Sequence, residues 1–219
     1  MPSKKDSVVE VEIPQIDVRF ANIKIIGDSP LIMHRWDEKV KKKMLDEMMG
    51  KAKTTAKIAK NPVREFIHSM YWLSGFPEEE TMEGFEKAIK SGKAKFGFPA
   101  TGFKAGACIA GYRAKIMKDS VVAKGNIHVV GEFVEINGIP RMREDMVRVA
   151  NGSPDIRYRG EFPEWDAVLT IRYNAGLFTI EQIVNLFNLG GFMCGVGENR
   201  PDKKAGGSFG MYHVAGHKK

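Results

Sequence analysis

An α+β fold is predicted for this chain by three observations. Apolar residues recur at every second position, then at helical spacing, in the order strand, helix, strand, strand, helix, strand. Small and apolar residues from Phe103 to Met117, and a second apolar stripe after Thr179, mark the two helices of that skeleton. Turn-forming pairs, Asn137-Gly138 above all, separate the strands. Such an order is a split β-α-β unit, a ferredoxin-like antiparallel sheet with two helices on one face.

Residues 1–15 carry charge, Pro2 and Pro14, and are predicted to form a flexible arm. From Ile16 to Ile26 the chain reads as a strand. Ile16, Val18 and Phe20 alternate with Asp17 and Arg19, and the phase then slips to Ile23 and Ile25. One slip of a period-2 pattern predicts a bulge or a strand buried on both faces. Residues 31 to about 98 form a helical insertion. Glu38–Lys60 is helical in part, Asn61-Pro62 interrupts it, a second helix runs through Phe66, Met70 and Leu73, and a third covers Glu83–Ile89.

The first core helix is predicted from Phe103 to Met117, with Phe103, Ala107, Ala110, Ala114 and Met117 on one stripe. Gly106, Ala107, Ala110 and Gly111 let it lie close on a sheet. Ile127–Ile136 is a strand, Asn137-Gly138 a hairpin turn, and Ile139–Val149 the return, interrupted by Pro140. Strands follow at Ile156–Phe162 and Ala167–Tyr173; in the latter Ala167, Leu169, Ile171 and Tyr173 share a face opposite Thr170 and Arg172. Thr179 and Gln182 have capping-box spacing, Ile180, Ile183, Val184 and Phe187 form the helix stripe, and Gly190-Gly191 ends it. Phe209–Val214 is the last strand. Residues 16–219 thus read as one domain, with a hairpin insertion at about 127–162. The uncovered face of such a sheet is polar and aromatic in RNA-recognition (RRM-like) modules, which stack bases on it.

A chain of 219 residues, 43% hydrophobic and 28% charged, has an ordinary globular balance. No apolar run approaches the roughly 20 residues that span a bilayer, and the polar start has no leader-like core. With only two cysteines, Cys108 and Cys194, a disulfide scaffold is not expected, and the cytoplasm is the expected home. No membrane partner is expected. Lys and Arg exceed Asp and Glu by 34 to 27, a net charge of +7 that favours a polyanionic partner.

Several segments carry that charge. His34, Arg35 and Trp36 follow the first strand and suit stacking plus phosphate pairing. Lys41, Lys42 and Lys43 belong to the densest basic stretch, which resumes at Lys51–Lys60 and reads either as a backbone track or as a solvated helix face. Met44, Met48 and Met49 read as core or subunit contact. Arg141, Arg143, Arg157 and Arg159, with Tyr158, interleave cations and aromatics around the hairpin. The scattered histidines and distant cysteines show no metal-ligand spacing, and no cofactor is expected.

Residues 190–214 are rich in glycine. No Gly-Lys-Ser/Thr opens a helix there, and Arg200 stands where a dinucleotide fingerprint wants its third glycine. What remains is a helix, a glycine-rich basic loop and an aromatic strand. Glycines let peptide N–H groups face phosphate oxygens, and Arg200, Lys203 and Lys204 add charge; the plainer alternative is a surface turn. Gly195-Val-Gly197, Arg200, and Gly206-Gly207-Ser208-Phe209-Gly210 before an alternating strand resemble the carboxy-terminal loop of the RAMP superfamily, the ferredoxin-like RNA-binding proteins of CRISPR systems. The helical insertion and the middle hairpin, or thumb, resemble the backbone subunits that coat guide RNA; a virus-encoded (phage) or stand-alone relative fits the same features. This resemblance implies a strand-binding groove between the first core helix and the loop. It implicates Lys104, Arg113, Gly195, Gly197, Arg200, Lys203, Lys204, Gly206, Gly207 and Gly210.

The sequence therefore predicts a non-enzymatic protein that binds single-stranded RNA or DNA with low sequence specificity and self-associates along it as a filament. The alternatives are a RAMP-type endoribonuclease using His34 and a protein-interaction module that mimics a RAMP subunit.

Overall fold

The structure, a computed structural model, describes residues 15–50, 59–148, 152–204 and 206–216. Residues 1–14 of the arm and 51–58 of the basic stretch lie outside the described residues. The chain runs through β1 (Val18–Gly27), β2 (Leu31–Met33), α1 (Glu38–Met48), α2 (Pro62–His68), β3 (Tyr71–Trp72), α3 (Met82–Lys90) and β4 (Phe96–Pro99). It continues through α4 (Ala100–Arg113), α5 (Ser120–Asn126), β5 (Ile127–Val129), β6 (Phe133–Asn137), β7 (Arg141–Arg148) and β8 (Pro154–Phe162). β9 (Asp166–Asn174), α6 (Ile180–Met193) and β10 (Tyr212–Val214) complete it.

The main sheet has the strand order β10-β1-β9-β6-β4-β3, with β5 also paired to β9, and every pair is antiparallel. The predicted core is there: β10, β1, β9 and the split β5/β6 strand, with α4 and α6 packed together on one face. Ile23 and Ile25 of β1 and Ala167, Leu169, Ile171 and Tyr173 of β9 face Phe103, Ala107, Leu186 and Phe187 of the helices in one buried cluster. Burying each large side chain contributes about 1.5–3 kcal/mol, which places the core between that sheet face and the two helices. Thr179 starts α6 with its hydroxyl accepting from the Gln182 N–H at 3.3 Å, while Gln182 Oε1 accepts from the Thr179 N–H at 2.9 Å.

Several expectations change. β1 pairs with β9 in unbroken register from Val18↔Asn174 to Ile26↔Asp166, so there is no bulge. The apparent slip arises because Val18 and Phe20 lie exposed on the face opposite Ile23 and Ile25. The strand predicted at Ile127–Ile136 is two, divided at Gly131, whose φ of 92° breaks the run. Asn137-Gly138 is not a hairpin turn. β6 pairs with β4 and β9, and the chain leaves for β7 in a second sheet of order β2-β8-β7. The real hairpin is β7–β8, in register from Arg141↔Glu161 to Arg148↔Pro154.

Asn61-Pro62 starts a helix rather than only ending one: Asn61 Oδ1 accepts from the Arg64 N–H at 3.0 Å, with proline in the first turn. Residues 71–72 and 96–99, inside the insertion, add strands to the main sheet. Gly190 and Gly191 lie within α6 instead of ending it. A Cβ on Gly190 would stand 2.8 Å from the Ala107 nitrogen, and one on Gly191 1.9 Å from the Tyr212 carbonyl oxygen. Their absence of side chain lets α6 touch both α4 and β10.

Candidate nucleic-acid interface

Three sequence-distant segments meet beyond the carboxyl end of β1. β2 lies against the base of the hairpin, Leu31 opposite Phe162 and Met33 opposite Gly160. Ser69, just after α2, holds the same place, its Oγ accepting the Gly160 N–H at 2.8 Å. The glycine-rich loop then closes over β2: the Glu198 N–H donates to the Ile32 carbonyl at 2.9 Å and the Gly210 N–H to that of Pro30 at 2.8 Å. Gly197, at φ 80°, is so near that a Cβ would lie 2.4 Å from the Ile32 oxygen. The loop is therefore clamped onto the fold.

The loop glycines serve this clamp. Gly195 approaches Gly210, Gly207 lies against the Asn199 backbone, Gly210 against Val196, and only Gly206 has open space around it. Many of the peptide N–H groups are committed internally. Those of Gly195, Val196, Asp202, Lys203, Gly206 and Phe209 donate to Gly190, Gly210, Cys194, Arg200, Lys203 and Asn199 carbonyls respectively.

The cations of the hairpin are organised by carboxylates. Arg159 is 3% exposed in its side chain, 3.2 Å from Asp145 and 3.9 Å from Glu198. Arg143 reaches Asp145 and Glu161, each at 2.8 Å, and lies 4.8 Å over the Phe209 ring of the loop. Arg141 meets Glu161 at 2.6 Å, and Arg157 meets Asp155 at 3.5 Å. In the loop, Lys203 bonds Glu198, Arg200 donates to the Gly197 carbonyl at 3.0 Å, and Lys204 is exposed. Arg113 crosses from the end of α4 to bond Asp202.

His34 borders this cluster. Its Nδ1 is buried with no hydrogen-bond partner among the described residues. Burial, then the positive charge of Arg159, hold its imidazole below the ordinary histidine range, against a smaller opposing pull from Glu198. Burial alone would raise Glu198, but the Lys203 hydrogen bond and the charges of Lys203, Arg159 and His34 bring it below the usual carboxylate value.

The remaining predicted residues separate into two groups. Arg35 turns toward α1 and Phe76, bonding Glu38 at 2.8 Å with its guanidinium 5.5 Å from the Phe76 ring. Trp36 is exposed, and Lys41, bonded to Glu38, lies with Lys42 and Lys43 on the exposed surface of α1. Lys104 is not with the loop: nine residues before Arg113, about 13 Å along α4, it donates to His128 Nδ1 at 3.1 Å. Reading the sequence for cations overlooked the acids Asp145, Glu161, Glu198 and Asp202. The signal for two of them was present, since Arg141, Arg143 and Asp145, and Arg157, Arg159 and Glu161, alternate along strand faces.

Among the described residues no group of three His, Cys, Asp or Glu side chains is placed to hold a metal ion, and no helix is long and apolar enough to cross a membrane. No family model matches the chain, and no curated protein matches it. Among solved structures it is similar to Cmr6 from Pyrococcus furiosus, at 12% identity over 91% of this chain and 100% of that one, with a TM-score of 0.36. At that distance the ferredoxin-like assignment rests on the strand order itself.

Proposed function

We propose that this protein binds single-stranded RNA or DNA without strong sequence preference, over the surface where the glycine-rich loop, the His34–Trp36 segment and the hairpin meet. The supporting observation is the clamp of the loop onto β2, through Glu198 to Ile32 and Gly210 to Pro30, which joins basic segments far apart in sequence into one surface. Arg200, Lys203, Lys204, Arg113, Arg157 and the nearby Arg35 supply phosphate contacts, and Trp36 and the α1 lysines extend the track. The glycine residues shape the loop, while side chains rather than a peptide cradle carry the charge. Arg141, Arg143 and Arg159 act behind them, since their carboxylate partners fix the hairpin. The ferredoxin-like order, with its insertion after β1 and a loop before the last strand, supports a RAMP-like assignment. Side-by-side assembly along the strand would use the exposed apolar residues of α1, Val40, Met44, Leu45 and Met48, and Met146 and Ile156 of the hairpin.

The test is a salt titration with labelled single strands. Neutralising Z phosphates gives a slope of about −0.7Z in log K against log salt. Reversing charge at Arg200, Lys203 and Lys204 together is expected to weaken binding and flatten the slope. Unchanged binding by that variant discards the loop assignment.

His34 supports a second reading, that of an endoribonuclease. An imidazole held below its ordinary pKa and beside Glu198 is largely neutral at pH 7, the form a general base requires. Cleavage of labelled RNA hairpins that disappears in His34→Ala establishes it; intact substrate with the wild type excludes it.

A further inference from the structure

Among the described residues the sheet face turned away from α4 and α6 is uncovered, and its composition is specific. On β1 it presents Val18, Phe20, Asn22, Lys24 and Ile26; on β9, Asn174, Arg172, Thr170, Val168 and Asp166. Phe20, Arg172 and His128 stand directly opposite one another across β1, β9 and β5, a row of neighbours about 5 Å apart. Phe20 is 65% exposed, although it sits in a strand whose other face is core. Arg172 has no ion pair among the described residues and points to the same face. His128 accepts from Lys104 at 3.1 Å on Nδ1 and donates from Nε2 to the Gly125 carbonyl at 3.2 Å, which tethers the ammonium group beside the row. The carboxylate of these two strands on this face, Asp166, is held by Lys24 at 3.6 Å and Asn137 at 2.8 Å.

We propose that this row is a second binding site for a single-stranded nucleic acid, with a base stacked on Phe20 and the adjoining phosphate held by Arg172 and Lys104. The occupant follows from the chemistry. An exposed aromatic ring beside cations with no ion pair among the described residues matches a ligand that alternates planar apolar groups with anions. An acidic protein segment would satisfy the cations and leave the ring unused. Phe20 lies seven residues from Gly27, about 23 Å along β1 from the end that carries the glycine-rich loop. The row is therefore separate from the interface proposed above. A long strand that engages both sites gains affinity by effective concentration, and a short one does not.

Fluorescence anisotropy with uridine or thymidine tracts of about 6 and about 24 nucleotides tests this, site sizes of single-strand binders being of that order. Phe20→Ala is expected to weaken the long tract by about 5- to 150-fold, the range that base stacking supplies, with Phe20→Tyr close to wild type, and Arg172→Ala is expected to weaken it and flatten its salt dependence. Both side chains are exposed, so unchanged melting temperatures are expected and show that the variants are folded. A tract of abasic phosphates is expected to lose the dependence on Phe20. In a Trp36→Phe background, the emission that Phe20→Trp adds to that of Trp72 and Trp165 is expected to be quenched by uridine tracts even when Arg200, Lys203 and Lys204 carry reversed charge. Wild-type affinity in the Phe20→Ala/Arg172→Ala double variant, or unmoved Phe20→Trp emission, overturns this site while leaving the loop interface standing. Loss of all long-tract binding in the loop variant, with unaltered binding in the double variant, assigns the strand to the loop alone.

Discussion

Arg143 joins the hairpin to the glycine-rich loop: its guanidinium lies 4.8 Å over the Phe209 ring while its nitrogens reach Asp145 and Glu161 at 2.8 Å. One side chain thus holds a carboxylate pair and the glycine-rich loop in fixed relation. The geometry makes Arg143 a positioning residue, since its charge is answered within the fold before any ligand arrives.

Removing it separates two contributions. Arg143→Ala leaves the buried Glu161 carboxylate, 4% exposed, with Arg141 alone, and Asp145 with Arg159. Breaking such a pair costs about 2–4 kcal/mol, because the remaining charge stays desolvated. Phe209→Ala removes the cation–π contact, worth about 0.5–2 kcal/mol. The urea midpoint is therefore expected to fall further for Arg143→Ala than for Phe209→Ala. The reverse order would show that the ring, not the charged network, holds the loop.

Much of the core was legible because its elements are locally consistent. The Thr179 capping box, the alternation of β9 and the small-residue stripe of α4 each specify one local answer that the packing accepts. Other features depend on distant partners. Asn137-Gly138 has the dipeptide of a tight hairpin, but β6 finds better pairing with β4 and β9, and Gly138 instead admits the Glu164 carbonyl, 2.5 Å from where its Cβ would be. Gly190-Gly191 reads as a helix end from sequence and as a helix crossing in space. The site follows the same division. Its cations were visible as residue types, whereas the pairing of Glu161 with Arg141 and Arg143 across the hairpin, and of Glu198 with Arg159 from the loop, depends on the fold. Phe20 illustrates the limit most clearly: an apolar residue in an alternating strand reads as core until the register assigns it to the uncovered face.

Acid should destabilise this protein through His34 and Glu198 in succession. The His34 imidazole is held below its ordinary value of 6.5 by burial and Arg159, so the unfolded chain takes up a proton first as pH falls. Stability is therefore full above pH 6.5 and declines as pH drops from 6.5 to the lower folded value. Glu198 sits below the ordinary 4.5, so its contribution is present above pH 4.5 and is lost as pH falls through its folded value. Melting temperature measured against pH is expected to show a first decline starting near pH 6.5 in the wild type and a weaker one in His34→Gln. An identical profile in both proteins would mean that the imidazole is solvated and that the decline has another source.

The loop clamp makes a sharper prediction about individual glycines. Gly210 has φ 66° and a Cβ there would lie 1.8 Å from the Val196 carbonyl oxygen, so alanine meets both a left-handed backbone and a collision with main chain. Val196 cannot yield freely, since its own N–H donates to the Gly210 carbonyl at 2.9 Å. Gly206 has nearly the same φ, 59°, with nothing within 4 Å of its Cβ position. Alanine at Gly206 therefore costs only the left-handed penalty of about 1–2 kcal/mol. At Gly210 the collision adds to that, for about 3 kcal/mol or more, and the melting temperature should fall by roughly 6–12 °C in a chain of this size. The same substitution is expected to loosen the Gly210 to Pro30 hydrogen bond and raise hydrogen exchange at Glu198, whose N–H is the other tie to β2. Equal melting temperatures for the two variants would show that the loop tolerates displacement at Gly210, and the rigid clamp onto β2 would then be wrong.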